Sequence, residues 1–174
     1  MDAYEAIVSK RDTRRYATRP IPDEVLQRIL QAGRMAGSAK NAQPVRFVVL
    51  QSREAKESLA EHGQWATHVV EAPVAIAVVL TPEGDEPGAP FTLFRGPFDA
   101  GRAAQNMMVV AWSLGIASCP ASMHDGEGAA KALGLPEGHV VANVIAFGYP
   151  EEGQPLHGGR QRLPLADVVH WERW

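Results

Sequence analysis

The spacing of apolar positions changes several times along the chain, and each change marks an element. Asp2 to Ser9 puts Tyr4, Ile7 and Val8 toward one side of a short helix capped by Asp2. After Pro20-Ile21-Pro22, the positions Val25, Leu26, Ile29, Leu30 and Ala32 keep helical spacing. They predict a helix from Asp23 to about Ala36, broken by Gly37 and Ser38. Val45 to Leu50 has the β-branched density of a buried strand, and Arg53 to His62 returns to a polar helical pattern. The unbroken apolar run from Pro73 to Leu80 predicts an interior strand covered on both sheet faces.

Phe98 to Leu114 is small or apolar almost all round, which predicts a central helix ended by Gly115. A short strand over Ile116 to Pro120, a helix over Glu127 to Leu133 and a last strand over Val140 to Phe147 follow. Thr81 to Pro97 is rich in Pro, Gly and acids and long for a connection, so a surface loop that can cover a site is expected there. The tail from Leu165 to Trp174 carries Val168, Val169, Trp171 and Trp174 and needs an apolar surface to lie on. Helices and buried strands interleave, which favours an α+β fold: one domain over residues 1–174, built as a three-layer α-β-α sandwich with a central mixed sheet around the long helix.

Composition narrows the chemistry. With 45% apolar residues the chain can bury a core without disulfides or a structural metal, and a net charge of −3 argues against nucleic acid as the main partner. The single Cys119 excludes an intrachain disulfide and a multi-cysteine metal site. The acidic N-terminus lacks the basic region of a signal peptide, and no apolar run approaches the roughly 20 residues that span a bilayer. A cytoplasmic protein without membrane contact is expected. The six histidines are dispersed without ligand-like spacing, and capping or solvent-facing roles are expected for them. No phosphate-binding loop, zinc-protease helix or dinucleotide fingerprint is present.

Two basic segments stand at opposite ends of the chain: Lys10-Arg11-Asp12-Thr13-Arg14-Arg15-Tyr16 and Gly158-Gly159-Arg160-Gln161-Arg162-Leu163-Pro164. Guanidinium groups present paired donors that suit a phosphate, and Arg160 and Arg162 share a face of an extended segment. The plain alternative for the first segment is that its cations complement a helix C-terminus while Asp12 pairs with a neighbour. Between them, Gly37-Ser38-Ala39-Lys40-Asn41-Ala42-Gln43-Pro44 leads from a helix into a strand and offers donors and acceptors to a ring edge, or simply turn chemistry.

Together these segments resemble the nitroreductase-like family of flavin mononucleotide (FMN) oxidoreductases. The resemblance runs through the basic signature ending at Tyr16, the Ser-x-x-Asn-x-Gln-Pro loop from Ser38 to Pro44, the helix ending Leu-Gly-Ile-Ala-Ser at Ser118, the strand and turn Ala146 to Pro150, and the late Arg-x-Arg-Leu-Pro. It implies that Lys10, Arg160 and Arg162 hold the flavin phosphate, with Arg11 nearby and Asp12 where a Ser is common. It puts Arg14 beside the pyrimidine edge, where a cation stabilises the reduced ring and acts as the catalytic group. Ser38, Asn41 and Gln43 would line the ring or its partner-subunit side, and Pro120, Ala121 and Ser122 would approach flavin N5. Cys119 reads as a small core residue. Two departures are visible: Gly37 replaces a usual proline and Val45 a usual tryptophan.

The resemblance implies a homodimeric enzyme that takes hydride from NADH or NADPH and reduces a nitroaromatic, quinone-like or related small acceptor by a ping-pong mechanism, its C-terminal tail packing on the partner. Two alternatives stay open. One keeps the fold with other flavin or deazaflavin chemistry, such as dehalogenation or flavin fragmentation; the other is a flavin-binding module without turnover.

Overall fold

The computed structural model describes residues 1–82, 91–153 and 162–174, the side chains of residues 91–94 excepted. Its elements are α1 (Ala3–Ser9), α2 (Asp23–Arg34), β1 (Val45–Leu50), α3 (Arg53–Ala60), α4 (Thr67–Glu71), β2 (Val74–Leu80), α5 (Phe91–Ser113), β3 (Ala117–Ala121), α6 (Gly126–Ala132), β4 (Val140–Gly148) and α7 (Leu165–Val168), with a 3-10 turn at Ala39–Asn41.

The strands form one sheet in the order β1-β2-β4-β3, and every described pairing is antiparallel. A mixed sheet was expected. β2 and β3, joined through α5, do run in the same direction, but β4 inserts between them and turns both contacts antiparallel.

Strand alternation divides the interior into two cores. Val74, Ile76, Val78 and Leu80 of β2 join Ile29 of α2, Met107 and Ala111 of α5, and Ile145 and Phe147 of β4 on one face. Ala75, Ala77 and Val79 join Leu59 of α3, Val69 of α4, Ala129 of α6 and Val144 of β4 on the other. A register shift between Val78 and Val79 lets Val141 and Val144 both serve the second core. β2 is buried along its whole length, as its continuous apolar run predicts. The three-layer α+β architecture follows.

Two elements differ from the sequence reading. α5 begins at Phe91 rather than Phe98, so residues 91–97, expected in a loop, are helical with Pro97 inside the helix. Pro97 keeps a helical φ and gives up one hydrogen bond, which a long helix tolerates. Residues 83–90 of that expected loop lie outside the described residues. α4 was not foreseen: five residues without a side-chain cap carry too little periodicity to read.

α1 is closed at its start by a capping box in which Asp2 and Glu5 bond each other's backbone N–H. Its apolar side nevertheless faces outward, with Tyr4 and Ile7 74% and 58% exposed. The tail does the same, with Trp171 and Trp174 85% and 99% exposed. No helix among the described residues is long and apolar enough to cross a membrane.

Candidate functional site

The first basic segment leaves α1 and runs along the outer edge of β3. Asp12 forms an isolated parallel bridge with Ser118, the Thr13 N–H donates to the Ser118 carbonyl at 3.2 Å, and Tyr16 bridges Pro150 beyond the end of β4. Thr13 is the buried pivot of this crossing, and the Tyr16 hydroxyl donates to its carbonyl at 2.7 Å. Burial above all, with the charge sites at Cys119 and Asp12 behind it, pushes the Tyr16 hydroxyl far above its ordinary proton affinity. Tyr16 is therefore a neutral strut.

Alternation along this extended segment separates the charges. Lys10 is mostly buried and ion-paired with Asp12. Arg11 turns back and donates to the Val8 and Lys10 carbonyls, both at 2.9 Å, so it closes the C-terminal end of α1 as the plain alternative predicts. Arg14 is exposed as a residue, and its charge acts on the Cys119 thiol. Burial raises the Cys119 thiol above its ordinary value and the Arg14 contact only partly offsets this, so Cys119 is an inert core thiol.

β3 presents its other candidates at the same corner. Pro120 and Ser122 are exposed while Ala121 packs into the second core. Past Ser118, no main-chain hydrogen bond among the described residues covers the outer edge of this strand. Behind it stands His68 of α4, only 5% exposed, which corrects the expectation of a solvent-facing or capping histidine. Burial, then the Arg14 charge, lowers its proton affinity, against the carbonyls of Cys119, Pro120 and Trp65, which favour the protonated ring. None of these completes a hydrogen bond at Nε2, which with Ser118 Oγ is one of the buried polar atoms lacking a partner among the described residues. Sequence reasoning missed His68 because it lies on the unforeseen α4.

The second candidate group stands elsewhere. Ser38 Oγ accepts from the Gln43 N–H at 2.9 Å and closes a loop in which Lys40, Asn41 and Gln43 all adopt left-handed backbone, with φ of 52°, 57° and 50°. Asn takes this conformation readily; Lys and Gln do not. The loop borders a cavity of about 470 Å³ between α2, β1 and α5, lined among others by Leu30, Arg34, Ser38, Gln43, Phe47 and Asp99.

The register measures how far apart the two groups lie. Cys119 shares a row with Ala146, Ala75 and Leu50, whereas the Ser38–Gln43 loop enters β1 at Val45, the far end of the opposite edge strand. Three inter-strand steps of about 4.8 Å and five residues of about 3.4 Å put the groups roughly 20 Å apart. One chain thus unites Lys10, Arg11, Asp12, Arg14, Pro120, Ala121 and Ser122 at one corner and holds Ser38, Asn41 and Gln43 at the diagonal one. Arg162 is exposed just before α7, and Arg160 lies outside the described residues.

Comparison with known proteins agrees with this architecture. The family model described as the nitroreductase family matches residues 7–75 and 65–149. The NADH dehydrogenase of Thermus thermophilus is 32% identical over 201 residues, covering 98% of this chain and 96% of that protein. Among solved structures, the NADPH:FMN oxidoreductase of Vibrio harveyi in complex with NAD+ superposes with a TM-score of 0.87 at 27% identity, covering 99% of this chain and 77% of its own. A Desulfovibrio desulfuricans protein solved with FMN gives 0.85 at 29% identity, covering 100% and 98%. Matched nearly end to end in sequence and in fold, the chain belongs to the nitroreductase family.

Proposed function

We propose that this protein is an NAD(P)H-dependent FMN oxidoreductase that works as a homodimer and passes electrons by a ping-pong mechanism to a nitroaromatic, quinone-like or related small acceptor. The observation that carries the reading is the split between the two corners. The resemblance asks for both groups on one flavin, and a span of roughly 20 Å keeps a single chain from supplying both. A second copy, bringing its Ser38–Gln43 loop to the Arg14 corner of the first, completes the site.

The residues at the Arg14 corner suit FMN. An exposed cation, buried atoms at His68 and Ser118 without partners among the described residues, and a strand edge left open among them at Pro120–Ser122 meet the needs of a flat, polar-edged, anionic ligand. Lys10 would hold the phosphate with Arg160 and Arg162, and Asp12, already paired with Lys10, would fix that ammonium. Arg11, turned to cap α1, would act only through the local positive potential. Bound FMN supplies the hydride chemistry through its ring N5. Arg14 would stabilise the negative charge that collects at the pyrimidine edge on reduction, and Pro120 to Ser122 would orient the ring.

Unpartnered apolar surface supports the dimer. Among the described residues nothing covers the outward apolar side of α1, the tail from Leu163 to Trp174 or the outer edge of β1. We assign the tail of one copy to the partner's surface. The test is anaerobic: FMN-loaded protein should bleach with NADH or NADPH and recover its yellow colour with an acceptor. Protein that binds FMN without bleaching would leave a binding module, and protein that takes up no FMN would overturn the reading. A screen of both nicotinamides against acceptors would then define the substrates.

A further inference from the structure

We infer that Asp99 is a positioning residue whose buried carboxylate, steadied by Arg102, holds the Ser38–Gln43 loop in the conformation in which it meets the flavin. The inference rests on the reading of that loop as flavin-facing.

The loop needs an external hold. Lys40 and Gln43 carry positive φ without the side chains that make it easy, and the bonds from Gln43 to Ser38, Asn41 to Ser38 and Ala42 to Ala39 are all internal to the turn. Such bonds fix its shape but not its place. On the sheet side Arg46 of β1 holds it, donating from Nη1 to the Gln43 carbonyl at 2.7 Å; on the helix side it is tied through the Ala39 N–H, which donates to Asp99 Oδ2 at 3.3 Å across 60 positions of sequence. Asp99 is 2% exposed on α5, the helix packed into the first core, so the loop is moored to a buried element.

A buried carboxylate needs compensation. Arg102, one turn further along α5, supplies it with Nη1 3.6 Å from Asp99 Oδ1 while the guanidinium lies over the Phe98 ring. Gly37 leaves room for the guanidinium in this position: a Cβ there would stand 2.4 Å from Arg102 Nη2, and the guanidinium would have to shift. This accounts for one departure noted in the sequence. Where a proline is usual, Gly37 admits the cation that neutralises the mooring of the loop.

The experiment compares FMN dissociation constants and apoprotein melting for Asp99→Ala, Asp99→Asn and Arg102→Gln. Asp99→Ala should weaken FMN binding about tenfold or more, the usual loss for a hydrogen bond to a charged group. Asp99→Asn keeps an acceptor for the Ala39 N–H and should recover most of the affinity, a rescue that a packing role does not predict. Arg102→Gln strands the carboxylate and should weaken binding severalfold; it decides the matter if Asp99→Ala does not fold. Folded variants that bind FMN as wild type does, whatever their melting temperatures, would overturn the inference and leave the functional reading intact. Wild-type protein that binds no FMN would overturn both.

Discussion

His68 shows how much a single residue of this site owes to the fold and how little to its neighbours in sequence. Its ring is faced by Arg14 from the first basic segment and by the Cys119 and Pro120 backbone of β3. Because its folded proton affinity lies below the ordinary value of 6.5, the unfolded chain takes up the proton first as the solution is acidified. His68 therefore costs the folded state nothing above pH 6.5 and destabilises it as the pH falls from there toward the depressed folded value, by at most about 1.4 kcal/mol per pH unit. His68→Gln should flatten the fall in melting temperature between neutral pH and about pH 5.5 relative to wild type. Identical slopes for the two proteins would show that the ring is not held neutral. Residue type alone could not reveal this, since a histidine among dispersed histidines shows neither its burial nor its neighbours. Arg11 makes the converse point: a cation just past a helix end suggested a cap as readily as a phosphate ligand, and the backbone carbonyls of Val8 and Lys10 hold it.

Elements with a full period of apolar residues were legible: α2, β2 and β4 stand where the spacing puts them because each buries one face or both in a core, whereas β1 stands at its expected place but on the sheet edge with only Leu50 buried, not as the buried strand its β-branched density suggests. What the pattern could not carry was pairing order, since the insertion of β4 between β2 and β3 depends on contacts remote in sequence. Nor could it show that Gly96 and Pro97, residues that ordinarily end helices, lie within α5. Packing between elements also sets the site. At Gly148, the last residue of β4, an added Cβ would meet Pro73 Cδ at 2.7 Å and Tyr16 Cδ1 at 2.8 Å. Gly148→Ala must push Tyr16, and with it the segment carrying Arg14, off the end of the sheet. We expect about 1–3 kcal/mol of destabilisation, the usual cost of overpacking, together with weaker FMN binding. Gly126→Ala on α6, where nothing lies within 4 Å, is the control and should leave binding unchanged. A Gly148→Ala protein with wild-type melting and affinity would mean that the crossing at Tyr16 does not position the site.

At the scale of the whole molecule the proposed homodimer raises the question of which copy supplies which half. Arg14 stands at the β3 corner and Ser38 at the diagonal β1 corner, and the register puts these corners roughly 20 Å apart. A site shared between subunits makes a prediction that a site within one chain does not. Arg14→Ala and Ser38→Ala should each weaken FMN binding in their own homodimers by about tenfold or more, through loss of a charge-assisted contact in one and of the bond that closes the loop in the other. In a mixed dimer of the two variants, isolated through distinct tags, a shared site distributes the lesions unevenly. The Ser38→Ala chain keeps Arg14 and receives the intact loop of the Arg14→Ala chain, while the Arg14→Ala chain receives the altered loop of the Ser38→Ala chain. One site is then wild type and the other carries both changes. The mixed dimer should bind one FMN per two chains with wild-type affinity and recover about half the wild-type turnover. If each chain instead used its own loop, every site would carry one lesion, and a mixed dimer without a single high-affinity FMN would rule out the shared site.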